Sequence, residues 1–259
     1  MEIALFHIKK ACRYRVKLFM DIANVMLNFL VQYYLWTAIL SSNRLFFEDK
    51  NRMISYYFYI SLLSVLMKCN ASDIADQFKN GKMDRELIRP VNLFALKMYE
   101  NIFSNLFLFL CSLPLLSVLT FLGFGMKIQV SMNNLLLFLL AVFPGYLLHY
   151  CLYFLVGLMA LLIDEVWAIR GIVGFCINMV TGYYLPVEMF PGWISKALEY
   201  TPFYYIYYFP TLIISNFRIL EKGELLWKYI IMSGWVLILL GISQFAFKKL
   251  VKNYTAYGG

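Results

Sequence analysis

Apolar residues fill six long blocks of the chain, about 18–40, 54–69, 100–124, 134–163, 167–185 and 226–247. A membrane-crossing helix needs about 20 such residues. The pattern therefore predicts six transmembrane helices, the fourth long enough to tilt or to kink at Pro144-Gly145. Ahead of the first block, residues 1–17 place Leu5, Ile8, Cys12 and Val16 on one helical side and Lys10, Arg13 and Lys17 on the other, with Phe6 spoiling the division. That fits an amphipathic helix lying in the membrane interface.

Two stretches break the apolar pattern. In the first, Ser72 suits a helix N-cap, Asp73 and Asp76 suit the first turn, Lys79 the last, and Gly81 a left-handed C-terminal residue. Asp84 then caps a second short turn that Pro90 ends. Ile74, Ala75 and Phe78 share one face, and Met83, Leu87 and Ile88 give the second turn an apolar side. Such an elbow can dock on a soluble partner or lie as a solvated basic loop on lipid headgroups; spacing alone leaves both open. In the second, Tyr183 to Pro210, four prolines cut the chain into pieces too short to span. Pro191 can open a helix of about ten residues running to Tyr200, with Trp193 and Tyr200 in the headgroup layer. The aromatic run Phe203 to Phe209 can dip into the membrane and return where protein covers its backbone. Residues 186–215 thus read as an extracellular re-entrant lid before the last span, or as an interfacial aromatic belt.

Composition narrows the class. Of 259 residues, 62% are hydrophobic and only 15% charged, which excludes an ordinary soluble domain. The net charge of +8 needs no nucleic acid, because the cations cluster beside apolar spans, where anionic lipid and membrane orientation account for them. With the N-terminus inside, inner segments hold 15 Lys and Arg against 8 in outer ones. Both termini and the elbow are then cytoplasmic. The five cysteines are scattered and imply no disulfide or metal framework. A phosphate-binding G-x-x-x-x-G-K-S/T is missing, since Asp76 stands where its first glycine belongs before Gly81-Lys82. No cofactor or metal site is expected on this chain.

Polar residues inside the spans form lines. Asp21, Asn24, Asn28 and Gln32 share a stripe on the first span, and Gly171, Gly174, Asn178 and Thr181 a line of small and polar residues on the fifth. Either is ordinary interhelical hydrogen bonding, a subunit interface, or a translocation path. His149, near Tyr146 and Tyr150, reads as packed against a hydroxyl, and Asp164-Glu165 as a solvated turn. A competing reading needs no ATPase: a lipid-modifying enzyme using Asp164, Glu165 and His149, or an ion-driven carrier using Asp21.

Gly81-Lys82-Met83-Asp84-Arg85-Glu86-Leu87-Ile88-Arg89-Pro90 is similar to the G-x-L-D-x-x-L-x-R-P signature of permeases of type-2 ATP-binding-cassette exporters, with Met83 where leucine is usual. Pro186-x-x-x-Phe190-Pro191-x-Trp193 with Pro202-Phe203 resembles that family's outer loop. Nearly the whole chain fits the resemblance, which is nearest to the six-span group with viologen- and daunorubicin-type export permeases. It implies one exporting permease domain over residues 1–259 in a bacterial cell membrane, and the polar stripe and aromatic lid suit an amphipathic or hydrophobic substrate. Residues 70–92 become a cytoplasmic coupling helix, with Asp73, Asp76, Phe78, Gly81, Asp84, Arg85, Leu87, Arg89 and Pro90 against a nucleotide-binding ATPase subunit. Two such ATPase copies would carry the ATP and Mg, and a second, paralogous permease would complete a heterodimer. Asp21, Asn24, Asn28, Gln32, Gly174, Asn178 and Thr181 become a permease interface or translocation path, and Pro186, Glu188, Phe190, Pro191, Trp193, Pro202 and Phe203 an outer gate.

Overall fold

The computed structural model describes residues 15–42, 50–69, 93–124, 131–159, 166–215 and 221–252. The coupling elbow at 70–92, with every residue assigned to it, Asp164 and Glu165, and residues 1–14 of the interfacial helix lie outside the described residues. The described chain is helical throughout: α1 (Arg15–Ser42), α2 (Lys50–Leu66), α3 (Leu93–Phe124), α4 (Met132–Leu158), α5 (Val166–Val180), α6 (Gly192–Leu198), α7 (Tyr208–Ser215) and α8 (Lys222–Lys252). Two single 3₁₀ turns, Val187–Met189 and Pro202–Tyr205, flank α6.

Among the described residues, four helices, α1, α3, α4 and α8, are long and apolar enough to cross a membrane. The predicted second and fifth spans correspond to shorter helices, α2 of 17 residues and α5 of 15. At 1.5 Å per residue these reach about 25 and 22 Å, less than the roughly 30 Å of a hydrocarbon core. Pro144 sits inside α4, which runs on unbroken through it. Gly145 has a different task from the expected kink. A Cβ there would stand 2.9 Å from the Tyr205 carbonyl oxygen and 3.3 Å from that of Ile206, so the missing side chain lets the lid backbone lie directly on α4.

The core is aromatic and centres on that lid. Tyr56 and Tyr57 of α2, Tyr150 and Phe154 of α4, and Tyr204, Tyr205, Tyr208 and Phe209 of the lid are all almost fully buried in one cluster. α8 runs along α4, α1 along α2, and α7 is wedged against both α4 and α2. All of α7 from Tyr208 to Ile214 is buried by the described chain. The predicted helix to Tyr200 is shorter than expected: α6 ends at Leu198, and Tyr200 and Thr201 close it with turn hydrogen bonds to Ala197 and Leu198.

Candidate functional site

The first-span stripe meets the end of α2. Asn105 of α3 fixes that end: its Nδ2 donates to the carbonyls of Leu66 (3.1 Å) and Lys68 (2.6 Å), satisfying acceptors that a helix C-terminus leaves without partners. Lys68, just past the helix, is thereby held where its Nζ reaches Asp21 Oδ1 at 2.9 Å. Both partners keep some exposure, 24% for the Asp21 side chain and 40% for Lys68. One turn on, Asn28 Nδ2 donates to the Asn24 carbonyl at 2.9 Å, which leaves the Asn28 side-chain oxygen as an acceptor.

Around this pair lies a cavity of about 290 Å³, partly open to the surface. α1 contributes Asp21, Asn24, Val25 and Asn28, the end of α2 contributes Ser64, Val65, Lys68 and Cys69, and α3 contributes Leu108. The far wall is His149 and Tyr153 of α4, Asn178 of α5, and Tyr183 and Tyr207. The rings of that wall touch: His149 to Tyr153 at 4.5 Å, His149 to Tyr207 at 5.6 Å, and Tyr183 to Tyr207 at 5.3 Å between centroids. His149 is 3% exposed, and neither ring nitrogen makes a hydrogen bond of good geometry, although the Met67 backbone is near. It packs against tyrosine rings, and no hydroxyl satisfies it.

Four of the seven predicted path residues, Asp21, Asn24, Asn28 and Asn178, therefore come together. Gln32 lies a turn beyond the cavity and half-buried. Thr181 is fully buried and serves the fold, its carbonyl accepting from Tyr208 N at 3.1 Å. Gly174 allows a close approach, a Cβ there lying 3.3 Å from the Tyr153 hydroxyl, whereas Gly171 faces open space. Lys68, Ser64, Cys69, Tyr153, Tyr183 and Tyr207 were not assigned to the path by sequence. Lys68 had figured only as an inner-side charge, and no spacing rule connects it to Asp21.

The predicted gate residues divide into two groups. Pro186 and Pro202 are buried and Phe190 and Phe203 half-buried, while Glu188, Pro191 and Trp193 are exposed, Trp193 at 76%. The lid is tied down on two sides. Towards α2, the Tyr56 hydroxyl donates to the Gly182 carbonyl (2.6 Å) and the Tyr57 hydroxyl to that of Tyr184 (3.0 Å). Gly182 has φ +87°, the left-handed region, and a Cβ on it would meet Tyr208 and the Tyr56 hydroxyl at 2.9 Å. Towards α8, Lys228 pairs with Glu199 (3.2 Å) and Glu224 (3.6 Å) and lies 4.6 Å from the centre of the Tyr204 ring. The Trp235 indole donates to the Tyr200 carbonyl at 2.8 Å.

No curated protein matches the chain. A family model does: that of the ABC-2 family transporter protein, over residues 26–258. The match takes in α3, α4 and α8, the part of α1 from residue 26 on, residues 186–215, and the cavity wall apart from Asp21, Asn24 and Val25, which precede it. The chain belongs to this ABC-2 family, as a multi-pass membrane permease of an ATP-binding-cassette transporter.

Proposed function

We propose that the chain is the permease half of an exporter and that it works as a mechanical relay. The elbow at 70–92 receives motion from a separate ATPase subunit, which binds ATP and Mg; the cavity beside Asp21 holds substrate; and the lid at 186–215 gates release outward. In this reading α2 and α5 complete a six-span bundle with both termini in the cytoplasm of a bacterial cell. Two ATPase copies and a second, paralogous permease make up the assembly. The observation that carries the reading is the convergence of Asp21, Asn24, Asn28 and Asn178 from two helices on one cavity. Asn24 and Asn28 stay exposed at its rim along α1, where a second permease subunit would close it. A polar rim facing lipid is costly, so a protein neighbour or water there is favoured.

The test is direct. The tagged chain, purified from its native membranes, should bring with it a P-loop ATPase whose activity is measurable. Charge reversal at Arg85 and Arg89 should abolish that association while membrane insertion is unchanged. An ATPase that stays bound to the reversed variant would sink the assignment of the elbow.

A further inference from the structure

We infer that the cavity beside Asp21 binds a zwitterionic group, an amine and an acidic oxygen carried together on one small molecule or on the head of an amphiphile. This rests on the permease reading and names the class of compound that the permease handles.

Among the described residues of the cavity wall, the charged ones are Asp21 and Lys68, and they cancel. A ligand with a single charge would pair with one of them and, by filling the cavity and displacing its water, leave the other without a counter-charge, which is costly. A zwitterion avoids this by exchange: its amine takes Asp21, its acidic oxygen takes Lys68, and both new pairs are charge-assisted hydrogen bonds. The existing pair separates easily, because both side chains keep contact with solvent. The rest of the wall suits the same ligand. The tyrosine rings at 153, 183 and 207 offer electron-rich faces for an ammonium. His149, buried without a good hydrogen bond, gains a partner from an oxygen or hydroxyl of the ligand. A cavity of about 290 Å³ lies at the lower end of the roughly 300–1,000 Å³ of small-molecule sites, enough for a head group. Val25, Val65 and Leu108 form a small apolar cluster at its edge, where an alkyl chain can start.

The full-length protein is placed in nanodiscs of anionic phosphatidylglycerol, and binding of tritiated lysophosphatidylcholine is followed. Saturable binding should be displaced by excess unlabelled zwitterion. Lysophosphatidic acid and dodecyltrimethylammonium, which carry charge of one sign only, should compete at least about tenfold more weakly. If tail-less glycerophosphocholine competes as well as the lysolipid, the ligand is a free polar zwitterion; if only the lysolipid competes, it is an amphiphile's head group. Asp21→Asn and Asn178→Leu should each weaken binding at least about tenfold, and the exchange Asp21→Lys with Lys68→Asp should retain it. Lack of saturable binding, or equal competition by a singly charged amphiphile, overturns the inference even if a variant fails to fold. No saturable binding by the unaltered protein, with its ATPase association intact, overturns this inference alone, whereas an unaltered protein that binds the lysolipid but brings no ATPase overturns the coupling reading alone.

Discussion

The molecule uses one set of parts twice, a lysine, carboxylates and tyrosines, and the two copies differ in how completely they are satisfied. At the lid, Lys228 is 5% exposed and is shared between Glu199, Glu224 and the Tyr204 ring. The Tyr205 hydroxyl donates to the Glu199 carbonyl at 2.8 Å, and Trp235 secures the next carbonyl. At the cavity, the Lys68–Asp21 pair is half-open, flanked by carboxamides on its rim and by a buried imidazole without a good partner. A buried cation with three partners holds a fold in one arrangement, because losing any partner leaves a charge stranded. A half-open pair beside unsatisfied groups has room for an incoming ligand. The contrast separates scaffold from site although their composition is alike.

The comparison is broken most severely at the lid's entry turn. Gly182→Val should destabilise the protein by about 3 kcal/mol or more, combining the cost of a left-handed β-branched residue with overpacking against Tyr208 and Tyr56. The thermal midpoint of the purified protein in detergent measures it. Next is Lys228→Met, which keeps the bulk and removes the charge. Glu199 and Glu224 are each about one-third exposed, so water relieves part of the penalty. The expected loss is about 2 kcal/mol rather than the full 3–5 of a buried pair. A loss below about 0.5 kcal/mol would mean that the clamp is ornamental. Smaller again is Tyr57→Phe, which deletes the bond to the Tyr184 carbonyl but leaves the ring stacked on Trp36. About 1 kcal/mol is expected.

These sites also differ in how far the sequence revealed them. The stripe of Asp21, Asn24 and Asn28 was legible because helical periodicity brings such residues to one face before any packing occurs. Asn178 was legible for the same reason, on a helix whose small residues advertised a close neighbour. Tyr153, Tyr183, Tyr207 and Lys68 come from separate elements, and only the folded chain brings them to one cavity. In a sequence with 19% aromatic residues, a tyrosine carries little positional signal of its own. Lys228 misled in another way. It entered only as one of the eight outer-side cations, yet Glu199 and Tyr204 close over it; its i, i+4 spacing from Glu224 was a hint of pairing. The break in the helical pattern was announced by its prolines, whereas the packing of Tyr204 to Ile214 into the aromatic core came only from the folded chain.

The mildest substitution sharpens the contrast furthest. Asp21→Asn deletes a lysine–carboxylate bridge of 2.9 Å, shorter by 0.3 Å than the closer of the two that Lys228 makes. Ranked by distance alone, it should be the more harmful change. Ranked by surroundings, it should cost at most about 1 kcal/mol, because Lys68 at 40% exposure can turn to water once its partner is gone. The thermal midpoint of Asp21→Asn should therefore stay close to that of the unaltered protein while Lys228→Met falls clearly below it. Were the order reversed, the half-open pair would be structural and the buried one dispensable, and the division between scaffold and site would have to be redrawn with the cavity on the structural side.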